Sequence, residues 1–339
     1  MKKIVHIINA MEIGGVEVGV LSLLKSDNNY HVITVKGADK NFISSLSESE
    51  KIRLHVCNGF LHAIKKTYSL QPDIICSSLW RGHIVNLCTM FNLKKVQRVA
   101  FIHSTNYAHR VDFFINKLIE CTVDKIFCDS KKTLEVVQQR SKTPSVVVPM
   151  NVTFNKQMLK QNNRDLSFVY IGRFSHSQKN LRDALKFIKL LKSKTTDSVK
   201  FTLFGRDDGD LSDILKYAKE LQLESVVQYC GELNPVEVEN KMSQFSFFLQ
   251  TSLYEGMCIT CFQAIKSGLI PVINPVGEMV QYTKAGMNSF YIKLDELEIS
   301  VDDFYQEYIN SGFERYSRGT LNNEKDYPVF SESFFNNIY

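Results

Sequence analysis

The stretch from Ser252 to Ile292, SLYEGMCITCFQAIKSGLIPVINPVGEMVQYTKAGMNSFYI, decides the fold. Just before it, Phe245-Ser246-Phe247-Phe248-Leu249-Gln250 is a short apolar run of the kind that forms a buried parallel strand. Glu255-Gly256 breaks that run. Ile259 to Ser267 is apolar enough for a helix, and Gly268 is placed to stop it. Pro271-Val272-Ile273 then opens another strand. A strand that ends in a glycine turn and feeds a helix aims several backbone N–H groups at one point. With the helix dipole, worth about 0.3–1 kcal/mol for a nearby anion, that point suits a phosphate. Glu255 stands at its mouth, and Gln263 lies further on, inside the helix. An ordinary βα unit of a doubly wound sheet has the same outline.

Length and composition bound the rest. At 339 residues the chain has room for two α/β domains, and 44% hydrophobic with 23% charged residues reads as soluble and globular. No apolar run reaches the ~20 residues of a membrane-spanning helix. The opening Met1-Lys2-Lys3-Ile4-Val5-His6-Ile7-Ile8-Asn9 has the charge of a signal peptide without its length, so it is expected to be a first buried strand. Without a secretion signal, the expected location is cytoplasmic, with the eight cysteines reduced. Cys258-x-x-Cys261 has no second Cys or His pair at zinc spacing, which favours packing or backbone roles. Residues 1–150 carry 20 Lys and Arg against 12 Asp and Glu, a net +8, while residues 151–339 carry 21 against 24, a net −3. A basic first half suits an anionic partner, namely nucleic acid, an acidic membrane surface or a phosphorylated acceptor, and equally an ordinary solvated surface. No aromatic-basic motif supports nucleic acid.

In order, Ile4 to Ile8 is a strand, Asn9 to Gly15 a loop, and Val16 to Lys25 a helix. The loop holds no G-x-G-x-x-G, but Gly14-Gly15 opening a helix allows close backbone approach to a phosphate. Strands follow at His31–Val35, Leu54–Val56 and Pro72–Ser77, with a helix over Phe60–Ser69. Trp80-Arg81-Gly82-His83 then sits at the carboxyl end of a strand, where open α/β sheets place ligands, so Arg81 and His83 are acceptor-side candidates. Gln97 to Ser104 is strand plus loop and ends on His103. Asn106 to Asp124 mixes Phe113, Phe114, Leu118 and Ile119 with Arg110 and Lys117. Core packing with snorkelling cations is the expectation there, with a membrane-surface face as the alternative. The polar run Asn151 to Asp165 marks a linker. Beyond it, Leu166–Phe174 is strand and loop, and Leu181–Lys192 a helix with helical apolar spacing. Arg173 and Lys179 flank that loop and are placed to neutralise a diphosphate.

These residues together resemble the retaining GT-B glycosyltransferases of family 4. Glu255-Gly256, Gln263-Ala264 and Gly268-Leu269-Ile270-Pro271-Val272 are similar to that family's donor-site segment, and Gly172-Arg173 with Lys179-Asn180 to its phosphate pair. The resemblance implies an α/β GT-B fold, two Rossmann-like doubly wound domains facing across a cleft. Residues 1–150 would form the acceptor-side domain, 151–165 the linker and 166–300 the nucleotide-sugar donor domain. Residues 301–339 would form a helical segment crossing back to the first domain.

The implied activity is transfer of a hexose or related sugar, with retention, from a UDP- or GDP-sugar. The acceptor would be a saccharide or lipid-linked saccharide in polysaccharide or lipopolysaccharide synthesis. Arg173 and Lys179 would stabilise the leaving diphosphate, with the amides of Gly256, Met257, Cys258, Ile259 and Thr260 and with Gly14-Gly15. Glu255 and His103 would hold sugar hydroxyls. The leaving phosphate would take the acceptor proton, so no protein base is named, and neither a metal nor a cofactor is required. Peripheral contact with the cytoplasmic face of a bacterial inner membrane would follow from a lipid-linked acceptor.

Gln263 departs from the pattern, because the family has a second glutamate there that grips the ribose. A glutamine offers one carbonyl acceptor and one NH₂ donor where a carboxylate accepts twice. Modest donor affinity is expected, with Gln263→Glu preserving or tightening nucleotide binding. The rival reading is a non-catalytic GT-B subunit that binds sugar nucleotide or glycan and supports a partner transferase.

Overall fold

Seven short apolar runs in the first half pair in parallel, and six in the second half do the same. The computed structural model describes residues 2–339 except 13, 45, 106, 108 and 153–164. The expected linker over 151–165 and the start of the expected helix at Asn106 fall largely on residues outside that description. In the first sheet β1 is Ile4–Ile8, β2 Tyr30–Thr34, β3 Leu54–Val56, β4 Ile74–Ser78, β5 Gln97–Ile102, β6 Lys125–Cys128 and β7 Ser145–Val147. Their order is β3-β2-β1-β4-β5-β6-β7. In the second sheet β8 is Leu166–Ile171, β9 Val199–Phe204, β10 Val227–Tyr229, β11 Phe247–Gln250, β12 Ile270–Ile273 and β13 Phe290–Tyr291. Their order is β10-β9-β8-β11-β12-β13.

The central strands are buried along their whole length, as strands covered by helices on both faces must be. Register is fixed by that burial: Ile7 lies opposite Ile33 on β2 and Ser77 on β4, and Phe247 lies opposite Phe168 on β8 and Ile270 on β12. The chain divides into two units, residues 1–152 with 327–339, and residues 153–326.

The boundary at 300 does not coincide with this division. The helix Leu297–Ser311 delivers Val301 and Phe304 into the core of the second unit, and Phe313 follows them. Phe304 meets Phe168, Phe187, Phe247, Phe290 and Phe313 at ring-centroid distances of 4.9–5.7 Å. Each such pair contributes about 0.5–1.5 kcal/mol beyond its burial. An apolar spacing interrupted by charges hid this helix in the sequence. Only from Tyr327 does the chain join the first unit, where Asn151 Nδ2 donates to the Tyr327 carbonyl at 2.7 Å. In the closing helix Phe330–Ile338, the fully buried Phe334 stacks on His6 and meets Tyr30 and Phe127 edge-on.

The helix at Arg110–Glu120 corrects an expectation. It buries Ile119 together with Asn116 and Glu120, but leaves Val111, Phe113, Phe114 and Leu118 exposed.

Candidate active site

In the second unit the chain runs outward from β8 through β9 to β10, then returns to β11 on the other side of β8. The loops after β8 and β11 therefore leave their strands in different directions and border the crevice where open α/β sheets bind ligands. Both loops are described, and they are stitched together. Leu253 N–H donates to the Gln178 carbonyl at 2.8 Å, Thr251 Oγ1 to the Asn180 carbonyl at 2.8 Å, and Gln178 Nε2 to the Tyr254 carbonyl at 3.3 Å.

This stitching brings Lys179 and Glu255 together. Lys179 Nζ donates to Glu255 Oε1 at 2.7 Å, with the two side chains only 12% and 6% exposed. Gln250, at the end of β11, also donates its Nε2 to that oxygen at 2.8 Å and to Cys258 Sγ at 3.1 Å. Reversing the amide would aim its carbonyl at a carboxylate, so the donor orientation is dictated by charge. Both bonds fall on Oε1, which leaves Glu255 Oε2 to accept from something else. The ammonium has three donors and uses one here. Gln250 Oε1 is buried without a donor, a cost of about 1–3 kcal/mol that the cluster carries.

Backbone geometry holds the carboxylate in place. Cys258 has φ 53° and ψ 68° where the chain enters the helix Ile259–Lys266. Its neighbour Met257 is buried, so this segment offers its amides instead of its side chains; the first N–H groups of a helix have no intrahelical acceptor. Tyr282 OH donates toward the Met257 and Cys258 carbonyls at 2.9 and 3.1 Å, which keeps the carbonyl side of the turn occupied. Gly277, at φ 64°, lies directly on the Glu255 and Gly256 carbonyls, where a Cβ could not fit. Burial is the largest influence on the Cys258 thiol and would raise it, but its side-chain and backbone hydrogen bonds with Cys261 and the Lys179 charge together bring the net direction down. Burial raises Cys261 well above the ordinary thiol range. The two cysteines are thus packed against each other beneath the turn.

Arg173 is placed differently from Lys179. Its guanidinium is 47% exposed and stands 3.3 Å from Asp208, which also takes Arg206 Nε at 2.9 Å. An exposed pair of this kind contributes little to stability, so the guanidinium is free to exchange partners. Asp208-Gly209-Asp210 is an Asp-x-Asp tripeptide absent from the sequence expectation, and its first carboxylate faces these two arginines.

Gln263 is buried and donates to Glu239 Oε1 at 3.4 Å. A carboxylate is therefore already present beside position 263, supplied by the short helix Val238–Met242. Gln263→Glu would set two buried carboxylates against each other.

In the first unit the corresponding switch lies between β1 and β4. His103 follows β5, and its Nε2 lies 2.8 Å from Ser78 Oγ at the end of β4. Ser78 Oγ is also 2.8 Å from His6 Nε2, and His6 Nδ1 is 2.5 Å from Tyr30 OH. Burial holds His6 neutral, down to about 3, and pushes His103 well below the ordinary value, with His6 and His83 adding to it. Burial likewise raises Tyr30 far above 10.0, so its hydroxyl keeps its proton. That hydroxyl has no other hydrogen-bond partner among the described residues, so it donates to His6 Nδ1. His6 then donates from Nε2 to Ser78, Ser78 donates to His103 Nε2, and the proton of neutral His103 sits on Nδ1. That Nδ1 is buried with no acceptor among the described residues. Leu79, the first residue of the helix after β4, has φ 62°, a costly conformation for a branched side chain.

The other candidates in this unit fare unequally. Arg81 lies over the Trp80 ring at 4.0 Å, and its N–H donates to Asn9 Oδ1 at 3.1 Å, tying the β1 loop to the helix after β4. His83 is instead a core residue. It is 1% exposed and hydrogen-bonded through Nδ1 to Ser77 Oγ at 2.9 Å, which also accepts from Asn86. A helical position one turn beyond the sheet edge points it inward, away from any acceptor. Gly14 and Gly15 open the helix Gly15–Ser26, with Gly14 extended at φ −167° and the Glu17 carboxylate lying over it. A phosphate at this loop would meet that acid first. Gln250, Glu239, Ser78, His6 and Tyr30 carried no motif in the sequence, whereas the Asp-x-Asp tripeptide at Asp208 was legible there. Each of those five becomes visible only through the strand order that juxtaposes it with a candidate.

Two doubly wound parallel sheets of this order, each with its polar cluster at the carboxyl edge, define the GT-B class of two Rossmann-like units. Residues 151–301 match the family described as glycosyl transferases group 1. A capsular polysaccharide biosynthesis glycosyltransferase, CapH of Staphylococcus aureus, is 24% identical over 325 residues, 87% of each chain. A GDP-mannose:cellobiosyl-diphosphopolyprenol alpha-mannosyltransferase of Xanthomonas oryzae is 26% identical over 137 residues, 40% of this chain and 36% of that one. Among solved structures, Anabaena HepE in complex with UDP and glucose superposes with a TM-score of 0.81 at 14% identity, covering 99% of this chain and 98% of the other. The lipopolysaccharide outer core galactosyltransferase WaaB gives 0.69 at 19% identity, covering 98% of both. Among the described residues no helix is long and apolar enough to cross a membrane.

Proposed function

We propose that the chain is a retaining glycosyltransferase of polysaccharide biosynthesis. It moves a hexose or related sugar from a UDP- or GDP-sugar to a saccharide or lipid-linked saccharide. The observation that carries this reading is the Lys179–Glu255–Gln250 cluster at the β8/β11 switch. The UDP and glucose in the HepE complex, and the GDP-mannose and diphosphopolyprenol for which the Xanthomonas mannosyltransferase is named, support the donor and acceptor classes.

The chemistry follows from the atoms left unpaired. Breaking the C1–O bond to a nucleoside diphosphate builds negative charge on the leaving phosphate, and groups aimed at that charge lower the barrier. Lys179 has unused donors, Arg173 exchanges readily from Asp208, and the Ile259 and Thr260 amides that open the helix have no backbone acceptor among the described residues. Glu255 Oε2 accepts a sugar hydroxyl. The leaving phosphate receives the acceptor's proton, so Glu255 positions the sugar and is not a base. These cations neutralise the diphosphate without a metal.

Incubation with UDP- and GDP-hexoses and a panel of lipid-linked saccharides tests the reading. The expected product carries the new bond with the donor's anomeric configuration, read by coupling constants in proton NMR, and forms in the presence of a chelator. An inverted product, or dependence on added Mn²⁺, overturns the mechanism. Tight donor binding with no turnover on any acceptor favours the non-catalytic subunit instead.

A further inference from the structure

Beneath the Glu255 turn lies a cysteine pair that the proposed transfer chemistry does not use. Cys258 is the last residue before the helix Ile259–Lys266, and Cys261 stands in the first turn of that helix. Side chains three positions apart lie on one helix face. Cys261 N–H also donates to the Cys258 carbonyl at 3.1 Å, so the chain is already folded back on itself there. At φ 53° Cys258 has a left-handed backbone, the conformation that favours glycine, and it carries a thiol nonetheless.

The surroundings of the Cys258 sulfur are those of a reactive group. Gln250 Nε2 donates to it at 3.1 Å, Thr260 Oγ1 lies 3.8 Å away, and both the thiol and the backbone N–H of Cys261 hydrogen-bond with it. A cysteine that only fills space behaves as a small hydrophobe, and its neutral sulfur is a weak acceptor. Donors converging on one sulfur favour the thiolate, which is the nucleophile. The pair is also split. Burial opposes ionisation of both, yet only Cys261 is raised well above the ordinary thiol range, while Cys258 comes down. Elsewhere in the chain, burial raises the thiols of Cys57 and Cys128. Cys258 keeps 8% of its surface exposed and Cys261 none, so a small reagent meets Cys258 first.

We propose that Cys258 and Cys261 form a redox-active dithiol that a hydroperoxide closes to a disulfide, and that closure weakens nucleotide binding at the adjoining crevice. The Cys258 thiolate attacks one peroxide oxygen, the O–O bond breaks, and hydroxide leaves and takes up a proton as water. The Cys261 sulfur then attacks the Cys258 sulfenic acid. The S–S bond forms, the S–O bond breaks, and the departing hydroxide takes the Cys261 proton as a second water. Two electrons pass from the dithiol to the peroxide. Gln250 couples the pair to the ionic cluster, because its Nε2 also donates to Glu255 Oε1 at 2.8 Å. The two sulfurs must close to about 2.05 Å in a disulfide. That movement draws Cys258 Sγ away from Gln250 and turns the backbone whose amides open the helix. The dithiol stands on this geometry alone, and its effect on binding rests on the proposed donor site.

Full-length protein, reduced and then freed of reductant, is treated with hydrogen peroxide, and its peptides are mapped by mass without reduction. The expected product is a Cys258–Cys261 disulfide, lighter by two hydrogen atoms and reversed by dithiothreitol. Cys261→Ala removes the second sulfur and is expected to stop at a Cys258 sulfenic acid that dimedone traps. In calorimetric titration with UDP and GDP, the disulfide form is expected to bind at least tenfold more weakly than the reduced form, with dithiothreitol restoring the affinity. The proposal is overturned if Cys258 and Cys261 remain thiols while the exposed Cys88, Cys121 and Cys230 are oxidised. It is also overturned if the disulfide form keeps the affinity of the reduced one. Reversible closure with neither nucleotide bound by either form overturns the donor-site reading and the coupling with it, and leaves the dithiol established.

Discussion

The two carboxyl-edge clusters solve the same problem with opposite materials. In the second unit the cluster is ionic: Lys179 against Glu255, and Arg173 and Arg206 against Asp208. In the first it is neutral, a directed line of hydrogen bonds from Tyr30 through His6 and Ser78 to His103. Both stand where their sheet reverses, and in both the residue entering the next helix is a left-handed non-glycine, Cys258 at φ 53° and Leu79 at φ 62°. The ionic cluster suits a ligand that brings charge, because every member has an exchangeable partner. The neutral one suits an uncharged ligand, because its burial suppresses ionisation and its last atom, His103 Nδ1, offers a proton without a charge. Under the proposed function, the ionic cluster is the one that meets the diphosphate.

Removing a charge from the ionic cluster is expected to have the largest effect. Lys179→Ala deletes a donor to the leaving phosphate and strands the nearly buried Glu255 carboxylate. Transfer should fall by about 10²–10³-fold in kcat/KM, with a stability loss of about 3 kcal/mol. A loss under tenfold in steady-state assays breaks the assignment of Lys179 to the diphosphate.

The neutral cluster should announce itself through acid. His6 and His83 are each held down to about 3 by burial, against 6.5 for the free side chain. The unfolded chain therefore binds protons that the native state refuses. The stability these groups contribute is fully present above pH 6.5 and declines as pH falls toward 3. Each costs about 1.4 kcal/mol per pH unit in that window. In urea unfolding between pH 7 and 5, His83→Asn should be less stable than the parent at pH 7 yet lose stability less steeply, by one histidine's share. Parallel curves would mean that His83 takes up a proton in the folded state.

A smaller effect sharpens the role of position 263. Gln263→Glu brings a second carboxylate to Glu239 and should cost about 1–2 kcal/mol near neutral pH, through a raised pKa in the folded state. The sign follows from that direction: the cost is largest above the raised value and fades as pH falls below about 4, where both states are protonated. A variant more stable than the parent at pH 7 would show that Glu239 is not facing an introduced charge.

Strand positions and the donor-type turn were legible in the sequence because short buried runs punctuated by glycine allow few alternatives. Arg173, Lys179 and Glu255 were legible because loops at strand ends need cations and acids for few other reasons. The partners were not. Gln250 ends a strand like any other polar residue, and Glu239 lies in a charged helical run. Tyr30 and His6 reach Ser78 only because β2, β1 and β4 are neighbours. His83 misled because a helix one turn past a sheet edge rotates its side chain into the core. The helix Arg110–Glu120 misled because apolar residues at helical spacing ordinarily face inward, and periodicity does not say which side is in.

The central claim is that the β8/β11 crevice binds a nucleoside diphosphate through Lys179. Calorimetric titration of UDP, GDP and their hexose conjugates into the parent and Lys179→Ala tests it most directly. The expected result is one site for one nucleotide family, at least tenfold weaker in Lys179→Ala. Equal affinity in both proteins, or no binding of any diphosphate nucleotide to the parent, contradicts it.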